Sequence, residues 1–309
     1  MTITQLLGIK YPIFQGAMAQ IARFELASAV SNAGGLGILA SGGMSPEELR
    51  EQIKKCKEQT TKPFAVNLML MMPNINEIID VVIEEGVKIV TTGAGTPRKF
   101  MPRLTEAGVK VIPVIPSVKA AKKMEELGCA AVVVEGMEAG GHVGTSTTMA
   151  LLPQVTKAVN IPVIAAGGIA DGRGVAAAFC LGASGVQMGT VFLATHECPI
   201  SIEYKNLIVE VDDTSTTLTG MKFGAPVRGI KNGLTKRYHE LEAQSSTLME
   251  LEKLTLGSLR KAVYDGDVEN GSVMSGQIAG LVNEIRPVEQ VIVDILEEAK
   301  ATLANVKID

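Results

Sequence analysis

The sequence predicts a (β/α)8 TIM barrel with a second, smaller, mainly helical domain. Eight short apolar runs alternate with helix-like segments over the first 200 residues or so, and then the alternation stops. The runs are rich in β-branched residues and apolar nearly throughout, as is typical of strands buried on both faces of a parallel sheet. Eight strand–helix units are the count for a closed barrel. A doubly wound open sheet is the alternative, and eight buried strands would make it a large one.

Each predicted strand is bounded by glycine, proline or a polar turn. In order, the strands are 12–18, 35–39, 64–69, 88–93, 110–115, 131–136, 162–168 and 185–190. The clearest helix is "SPEELREQIKKCKEQ", 45–59, because Ser45 offers an N-cap, Pro46 suits the first helical position and glutamates follow in the first turn. The other predicted barrel helices are 74–86, 117–128 and 171–182.

The repeat is lost between about residues 200 and 285, where a polar stretch precedes a helical, Glu- and Leu-rich stretch. We predict that 201–285 form the smaller domain. The amphipathic segment "PVEQVIVDILEEAKATLANV", 287–306, is predicted to return to the barrel as its last helix. The predicted barrel domain is therefore 1–200 plus 286–309.

Composition excludes several classes of protein. The chain has 309 residues, 46% hydrophobic and 20% charged, with a net charge of −4 and no dense basic block, so neither nucleic acid nor an acidic membrane is an expected partner. No apolar run reaches the length of a membrane-spanning helix, and the first residues lack the pattern of a signal peptide. Four scattered cysteines without CxxC spacing favour the reducing cytoplasm over a disulfide framework or a zinc site.

In such barrels the active site is built from the loops that follow the strands. Here the seventh and eighth predicted strands run into "AAGGIADG" and "QMGT". A barrel phosphate site usually lies at these two places, and glycine lets backbone N–H groups approach an anion. The alternative is two tight turns that bind nothing. The later "GRGVAA" does not directly follow a strand, so it is a weak dinucleotide fingerprint.

Other chemistries lack their side chains. No lysine ends a strand, so a Schiff-base aldolase is poorly supported, and no cluster of His, Asp and Glu at the strand ends suggests a catalytic metal. Neither GxSxG nor GKS/T occurs. A phosphate-bearing organic cofactor with few charged protein groups around it remains, and a flavin fits because it carries the chemistry itself.

The chain has three histidines. His142 follows two glycines in the loop after the sixth strand, where the loop could fold over a flat ring and the imidazole could donate a hydrogen bond or a proton. We therefore predict a role in the site for His142. His196 follows the eighth strand and could lie at the edge of the site. His239 is expected to be a structural residue on a polar helix face.

Three further stretches are distinctive: "EGMEAGGH" around His142, and "FGAPVRGIKN" and "GSVMSGQIAGLV" in the second domain. With these stretches the chain resembles, over about residues 3 to 300, the FMN-dependent enoyl-acyl carrier protein reductases, or enoyl reductase II. "GGHVG" and "AAGGIADG" are also shared with the nitronate monooxygenases of the same superfamily. The resemblance implies an FMN-binding barrel with a smaller helical domain that closes over it.

The resemblance implies a set of site residues. His142 is the implied catalytic residue, Met274 and Gln277 line the substrate side, and no metal is implied. Gly167, Gly168, Gly189 and Thr190 hold the phosphate. The implied FMN-binding residues are Ala17, Met18, Asn67, Glu135, Gly140, Gly141, Gly167, Gly168, Gln187, Met188, Gly189 and Thr190.

The implied reaction reduces the trans-2 double bond of an enoyl thioester on acyl carrier protein, with NADH or NADPH as the hydride donor, in fatty-acid synthesis. His142 is the candidate donor to the thioester oxygen. A nitronate monooxygenase, which needs no NAD(P)H, and a catalytically silent flavin-binding barrel are the alternatives. The resemblance also implies a homodimer.

The acyl carrier protein is acidic, so a basic surface should receive it. One candidate surface on the second domain contains Lys222, Arg228, Lys231, Lys236 and Arg237. An ordinary solvated charged face is the alternative for these residues. The choice between NADH and NADPH does not follow from the sequence, because no acidic residue or arginine is assignable to the ribose 2′ position.

Overall fold

The chain folds into a nearly closed barrel of eight parallel strands, in a computed structural model that describes residues 1–244 and 247–307. The strands are β1 (Ile13–Gln15), β2 (Gly37–Ala40), β3 (Phe64–Met69), β4 (Ile89–Gly93), β5 (Lys110–Ile115), β6 (Val132–Glu135), β7 (Gly141–His142), β8 (Val163–Ala166), β9 (Gly185–Met188), β10 (Thr216–Thr219) and β11 (Val227–Ile230). The barrel order is β1-β9-β8-β6-β5-β4-β3-β2. Each of the eight predicted runs overlaps one barrel strand, so the predicted barrel is confirmed and the open sheet is wrong.

Helices surround the barrel and also occur in the segment that follows its last strand. They are α1 (Ile3–Leu7), α2 (Phe24–Asn32), α3 (Pro46–Gln59), α4 (Ile75–Glu84), α5 (Met101–Glu106), α6 (Val118–Glu126), α7 (Thr148–Thr156), α8 (Gly172–Cys180), α9 (Thr190–Leu193), α10 (Ile202–Glu210), α11 (Gly233–Ala243), α12 (Leu248–Thr255), α13 (Ser258–Asp265) and α14 (Val288–Asn305). Ser45 caps α3 by accepting a hydrogen bond from the Glu48 N–H, at 3.1 Å. Within the described residues, no helix is long and apolar enough to cross a membrane.

The interior of the barrel explains why the strands are apolar on both faces. Phe14, Ile38, Ile112 and Val133 pack together inside the barrel, while side chains of the opposite parity pack outward against the helices. The short helix α1 contributes Ile3 and Leu7 to the interior cluster. It lies at the amino-terminal end of the strands, since Gly8 is next to Pro63, just before β3. Because α1 covers the amino-terminal end of the strands, a functional site is expected at their carboxyl-terminal end.

The helix α14 returns to the barrel after the 201–287 segment and packs between α8 and α2. Its buried face includes Val291, Ile292 and Ile295. The Gly172 N–H at the start of α8 donates to the Glu298 carboxylate at 2.7 Å, and a Cβ at position 172 would overlap the backbone of α14. The absence of a side chain at position 172 therefore lets α8 begin directly against α14.

Residues 201–285 are mostly helical but also contain an antiparallel hairpin, which sequence did not indicate. The strands β10 and β11 pair with each other, and β11 pairs with β7 from the loop after β6. The division into 1–200 plus 286–309 and 201–285 stays a prediction. Residues 245–246 and 308–309 of those ranges lie outside the described residues.

Where the barrel closes, a side chain replaces part of the β ladder. The strands β1 and β2 share only a short backbone bridge at Phe14 and Leu36. The buried side-chain amide of Gln15 extends the hydrogen bonding between these two strands. Its Oε1 accepts from the Ile38 N–H at 2.9 Å, and its Nε2 donates to the Ile38 carbonyl at 3.3 Å. Nε2 also lies within hydrogen-bonding distance of the Gly16 carbonyl. The side-chain amide therefore substitutes for a peptide group at the seam.

Replacing Gln15 by leucine is expected to destabilise the protein by about 2–6 kcal/mol, because a buried donor and acceptor of Ile38 lose their partner at about 1–3 kcal/mol each. Thermal unfolding measures the effect. Gln154→Leu is the matched control, since Gln154 is exposed on α7 and its amide bonds only to Ala150. Equal unfolding temperatures for the two variants would contradict the role given to Gln15.

Candidate active site

The loop after β1 lies directly against the end of β9. The Gly16 N–H donates to the Met188 carbonyl at 2.7 Å, and a Cβ at Gly16 would lie 3.4 Å from the Gly189 Cα. A Cβ at Gly189 would in turn lie 3.6 Å from the sulfur of Met18. The structure therefore brings Ala17 and Met18 together with the 187–190 segment, although these predicted residues are about 170 positions apart in sequence.

The loop after β8 requires glycine at two positions. Gly167 and Gly168 have φ of +88° and +74°, a backbone region that other residues rarely adopt. A Cβ at Gly167 would also lie 2.9 Å from the Gly136 carbonyl oxygen. The loops after β6 and β8 thus approach each other as closely as backbone allows, at the end of the barrel where a phosphate group is expected.

Glu138, which sequence analysis did not single out, fixes the loop after β6. Both oxygens of its carboxylate accept from the Thr148 N–H at 3.0 Å. The Thr148 hydroxyl is 3.0 Å from that carboxylate and 2.9 Å from the Gly167 carbonyl. The Glu138 backbone carbonyl accepts from the Gln277 N–H at 2.9 Å. One residue therefore ties the barrel loops to the segment that carries the predicted substrate-side glutamine.

The predicted loop of Gly140, Gly141 and His142 is held by the 201–285 segment. In the β7–β11 pairing, Gly141 is opposite Arg228 and His142 is opposite Val227. A Cβ at Gly140 would lie 2.7 Å from the Ser275 carbonyl carbon, and one at Gly141 would lie 3.6 Å from the Met274 sulfur. The His142 side chain is exposed. The structure thus brings His142 and Met274 into one region of the molecule.

The Met274–Gln277 strip is anchored at both ends. The fully buried Tyr204 hydroxyl donates to the Met274 carbonyl at 2.8 Å, and burial raises the pKa of that phenol. The Gly276 N–H donates to the Thr190 hydroxyl at 2.9 Å. Thr190 is therefore engaged with this strip as well as lying at the end of β9, where it was predicted to hold a phosphate.

Arg228 is a buried residue of the site, and its prediction as part of an exposed basic surface is wrong. Only 4% of it is exposed, because β11 places it between β10 and the loop after β6. Its Nε donates to the Met137 carbonyl and its Nη1 to the Thr216 hydroxyl, both at 3.1 Å. Desolvation lowers the pKa of the guanidinium, and the nearby Glu138 carboxylate partly offsets this. The other four residues of the predicted surface are exposed.

Asn67 lies within β3, two residues before its end, and Glu135 is the last residue of β6. The Asn67 amide donates to the Thr91 hydroxyl of the neighbouring strand at 2.9 Å. The half-buried Glu135 carboxylate has no hydrogen-bond partner within residues 1–244 and 247–307. Desolvation raises the pKa of Glu135 to about 7. The carboxyl group is therefore available to a ligand and titrates near neutrality in the ligand-free chain.

The raised pKa of Glu135 predicts a pH-dependent stability. The neutral carboxyl is favoured in the folded chain, so its contribution is complete below about pH 4.5 and is lost as the pH rises through about 7. The shift corresponds to about 3 kcal/mol. With bound ligands removed, Glu135→Gln is expected to unfold several degrees above the wild type at pH 8, but at a similar temperature at pH 4.5.

Thermal unfolding as a function of pH measures this difference. Glu77→Gln is the matched control, because Glu77 is exposed on α4. A difference between Glu135→Gln and wild type that does not change with pH would contradict the prediction, whatever its size.

The other two histidines have partners outside this cluster of residues. His196 is exposed, and its backbone N–H donates to the Arg286 carbonyl at 3.1 Å. His239 on α11 lies 3.1 Å from the Thr217 hydroxyl. Over the described part of the chain, no group of three or more His, Cys, Asp or Glu side chains is arranged to hold a metal ion.

Comparisons with known proteins agree with this arrangement of barrel and loops. A family model described as nitronate monooxygenase matches residues 1–79 and 73–298. The structure of FabK from Thermotoga maritima is 49% identical, with a TM-score of 0.95, over 98% of this chain and 97% of that one.

Two curated relatives are each 36% identical. One is a 5-hydroxy-7a-methyl-1-oxo-octahydro-1H-indene-4-carboxyl-CoA dehydrogenase of Mycobacterium tuberculosis, aligned over 96% of this chain and 95% of that protein. The other is a probable nitronate monooxygenase of Staphylococcus saprophyticus, aligned over 92% of this chain and 93% of that protein. By these names, both relatives are oxidoreductases.

Proposed function

The chain belongs to the nitronate monooxygenase family and is an oxidoreductase, and within that family we propose that it reduces the trans-2 double bond of enoyl thioesters on acyl carrier protein, using FMN and NAD(P)H. Identity to FabK is 49%, against 36% for the CoA dehydrogenase and the probable nitronate monooxygenase. The reductase-like stretches "FGAPVRGIKN" and "GSVMSGQIAGLV" supply Arg228 and Met274, which lie beside the His142 loop. The likeness to the reductases therefore extends to the residues around His142, which is the observation that carries the proposal.

The residues at the open end of the barrel fit FMN. The turns at Gly167 and Gly168 present backbone to an anion, and Gly189 and Thr190 lie at the end of the adjacent strand β9. The Glu135 carboxyl has the desolvated, unpartnered character of a group that a polar ring edge would satisfy. We therefore propose Ala17, Met18, Asn67, Glu135, Gly140, Gly141, Gly167, Gly168, Gln187, Met188, Gly189 and Thr190 as the FMN-binding residues.

When bound, FMN would supply the hydride that reaches the β-carbon of the enoyl thioester, and a proton would add to the α-carbon to complete the reduction. Negative charge then builds on the thioester oxygen, and the exposed His142 imidazole would donate a hydrogen bond to it. The pairing of β7 with β11 fixes the backbone of His142 before substrate arrives, which limits reorganisation during the reaction. Met274 and Gln277 would line the substrate side of the site.

An anaerobic spectroscopic experiment tests this function. The purified flavoprotein is mixed with NADH or NADPH, and then with a crotonyl thioester. We expect the nucleotide to bleach the flavin absorbance and the crotonyl thioester to restore it with formation of the butyryl thioester. The saturated butyryl thioester is the control and should restore nothing. Persistent bleaching after addition of crotonyl thioester would contradict the proposal.

Nitronate oxidation is the second candidate, because the family and the relative from Staphylococcus saprophyticus carry that name. The same apparatus separates the two reactions. An alkyl nitronate that bleaches the flavin, together with NAD(P)H that does not, would favour the monooxygenase. Flavin that responds to none of these compounds would favour the silent binding barrel. The homodimer and the cytoplasmic location stay predictions.

A further inference from the structure

Positive charge is concentrated in one sector of an acidic chain. The chain has a net charge of −4, yet residues 86–124 contain eight lysines and arginines and a single carboxylate, Glu106. The eight cations are Lys88, Arg98, Lys99, Arg103, Lys110, Lys119, Lys122 and Lys123. This sector consists of β4, α5, β5 and most of α6. Half of these cations lie at the end of the barrel that carries the candidate site.

Arg98 and Lys99 lie in a single 3-10 turn, Pro97–Lys99, just after β4. Lys119 and Lys122 lie in the first turns of α6, just after β5. All four side chains are exposed. The strands β4 and β5 are parallel neighbours, so the two loops lie side by side at the carboxyl-terminal end of the barrel. We refer to Arg98, Lys99, Lys119 and Lys122 as the basic rim.

The basic rim makes no ion pairs within the described part of the chain, although the Lys99 Nζ lies 5.7 Å from the centre of the Phe100 ring. Among the described residues of 1–200, Arg23, Arg50, Arg103 and Arg173 each pair with a carboxylate, whereas Arg98 does not. The three lysines of the rim likewise have no carboxylate within 4.0 Å in the described chain. The first turn of α6 has no acidic residue, and a cation near a helix amino terminus is opposed by the helix dipole. Lys119, in that first turn, is therefore retained at some electrostatic cost to the fold.

The basic rim is continuous with the His142 loop. Pro116 connects β5 to α6, and a Cβ at Gly144 would lie 2.9 Å from the Pro116 Cβ. Gly144 comes two residues after His142, and between them the Val143 N–H donates to the Pro226 carbonyl at 3.0 Å. An acidic partner seated on the rim would therefore lie next to the loop that carries the proposed catalytic residue.

We propose that the basic rim is the docking surface for the acidic face of the carrier protein that presents the enoyl thioester. This inference rests on the proposed function. The four cations are exposed and spread over two loops, which suits a broad, negatively charged protein surface better than a single phosphate. Opposite charge at the rim of an interface raises the association rate and fixes orientation, and it is sensitive to salt. The surface lies on the barrel and not on the 201–285 segment, where sequence predicted it.

Steady-state kinetics of a charge-reversed variant test the docking surface. Arg98, Lys99, Lys119 and Lys122 are changed together to glutamate, and the substrates are crotonyl-acyl carrier protein, crotonyl-CoA and crotonyl-pantetheine. We expect KM for the carrier-protein thioester to rise about tenfold or more at low salt with kcat nearly unchanged. We expect KM for the two small thioesters and for NAD(P)H to stay within about twofold. Lys62→Glu combined with Lys88→Glu is the control, since both exposed lysines lie at the amino-terminal end of the strands.

Several outcomes would overturn the proposal. An equal rise in KM for crotonyl-CoA would assign the rim to phosphate groups, and a rise for NAD(P)H would assign it to the nucleotide. An equal rise of this KM in the control variant would show that the effect comes from net charge alone. An unchanged KM in the charge-reversed variant would show that the rim has no part in substrate recognition. Wild-type turnover of crotonyl-pantetheine separates the two proposals, because its absence overturns the reductase function and the docking surface with it.

Discussion

Replacing His142 by alanine is expected to lower turnover of an enoyl thioester by about 10²–10³, the usual loss for one donor to a developing oxyanion. Flavin content should not change. The loop is held through backbone and side chains other than the imidazole, including the Gly141–Arg228 and His142–Val227 pairing of β7 with β11. Initial rates with crotonyl thioester and the ratio of flavin to protein absorbance measure the two effects separately.

His239→Ala is the matched control for this prediction, because His239 is a partly exposed histidine on α11 whose hydrogen-bond partner is Thr217. It should retain wild-type rates. Turnover by His142→Ala within about threefold of the wild type would remove the imidazole from the reaction. Loss of flavin from that variant would instead assign His142 to cofactor binding.

Replacing Arg228 by methionine is expected to reduce both turnover and stability. The Met137 carbonyl and the Thr216 hydroxyl would each lose a buried donor, at about 1–3 kcal/mol apiece. Met137 lies in the loop that leads to His142, and a displacement of about 1 Å at a catalytic group costs on the order of 10² in rate. Initial rates with crotonyl thioester and thermal unfolding measure the two losses.

A double-mutant cycle shows whether Arg228 acts through His142. Arg228→Met should slow the wild type strongly but should have little further effect on turnover in the His142→Ala background. Arg237→Met is the matched control, because Arg237 is exposed on α11 and bonds to Asn270. Fully additive rate losses in the cycle would contradict a positioning role for Arg228 and leave only its effect on stability.

The barrel was predictable because a strand buried on both faces is recognisable from its own sequence. A strand covered on both faces must be apolar throughout, as "AVVVEG" around β6 is, so the run is visible without any knowledge of its neighbours. The order of the strands then placed the glycine loops and His142 at one end of the barrel. The helices α2, α5 and α7 were missed. The last of these has Pro153 in its interior, which usually signals a break.

The buried polar contacts were not predictable, because their meaning depends on partners far away in sequence. Gln15 bonds to Ile38, 23 residues away, and Arg228 to Met137, 91 residues away. An arginine near lysines indicates an exposed face until β11 is known to lie between β10 and β7. The hairpin itself was missed because its threonine-rich strand β10 is half-buried and has no apolar run.

The position of α14 has a consequence for the order in which the protein assembles during synthesis. All eight barrel strands and the first nine helices of the described chain precede residue 194, whereas α14 covers the gap between α8 and α2 only with residues 288–305. A nascent chain that has displayed every strand still exposes the apolar surface that Val291, Ile292 and Ile295 will bury. The barrel therefore stays incomplete while residues 201–287 are translated. During this interval the exposed apolar surface can bind chaperones or aggregate, and both processes compete with folding.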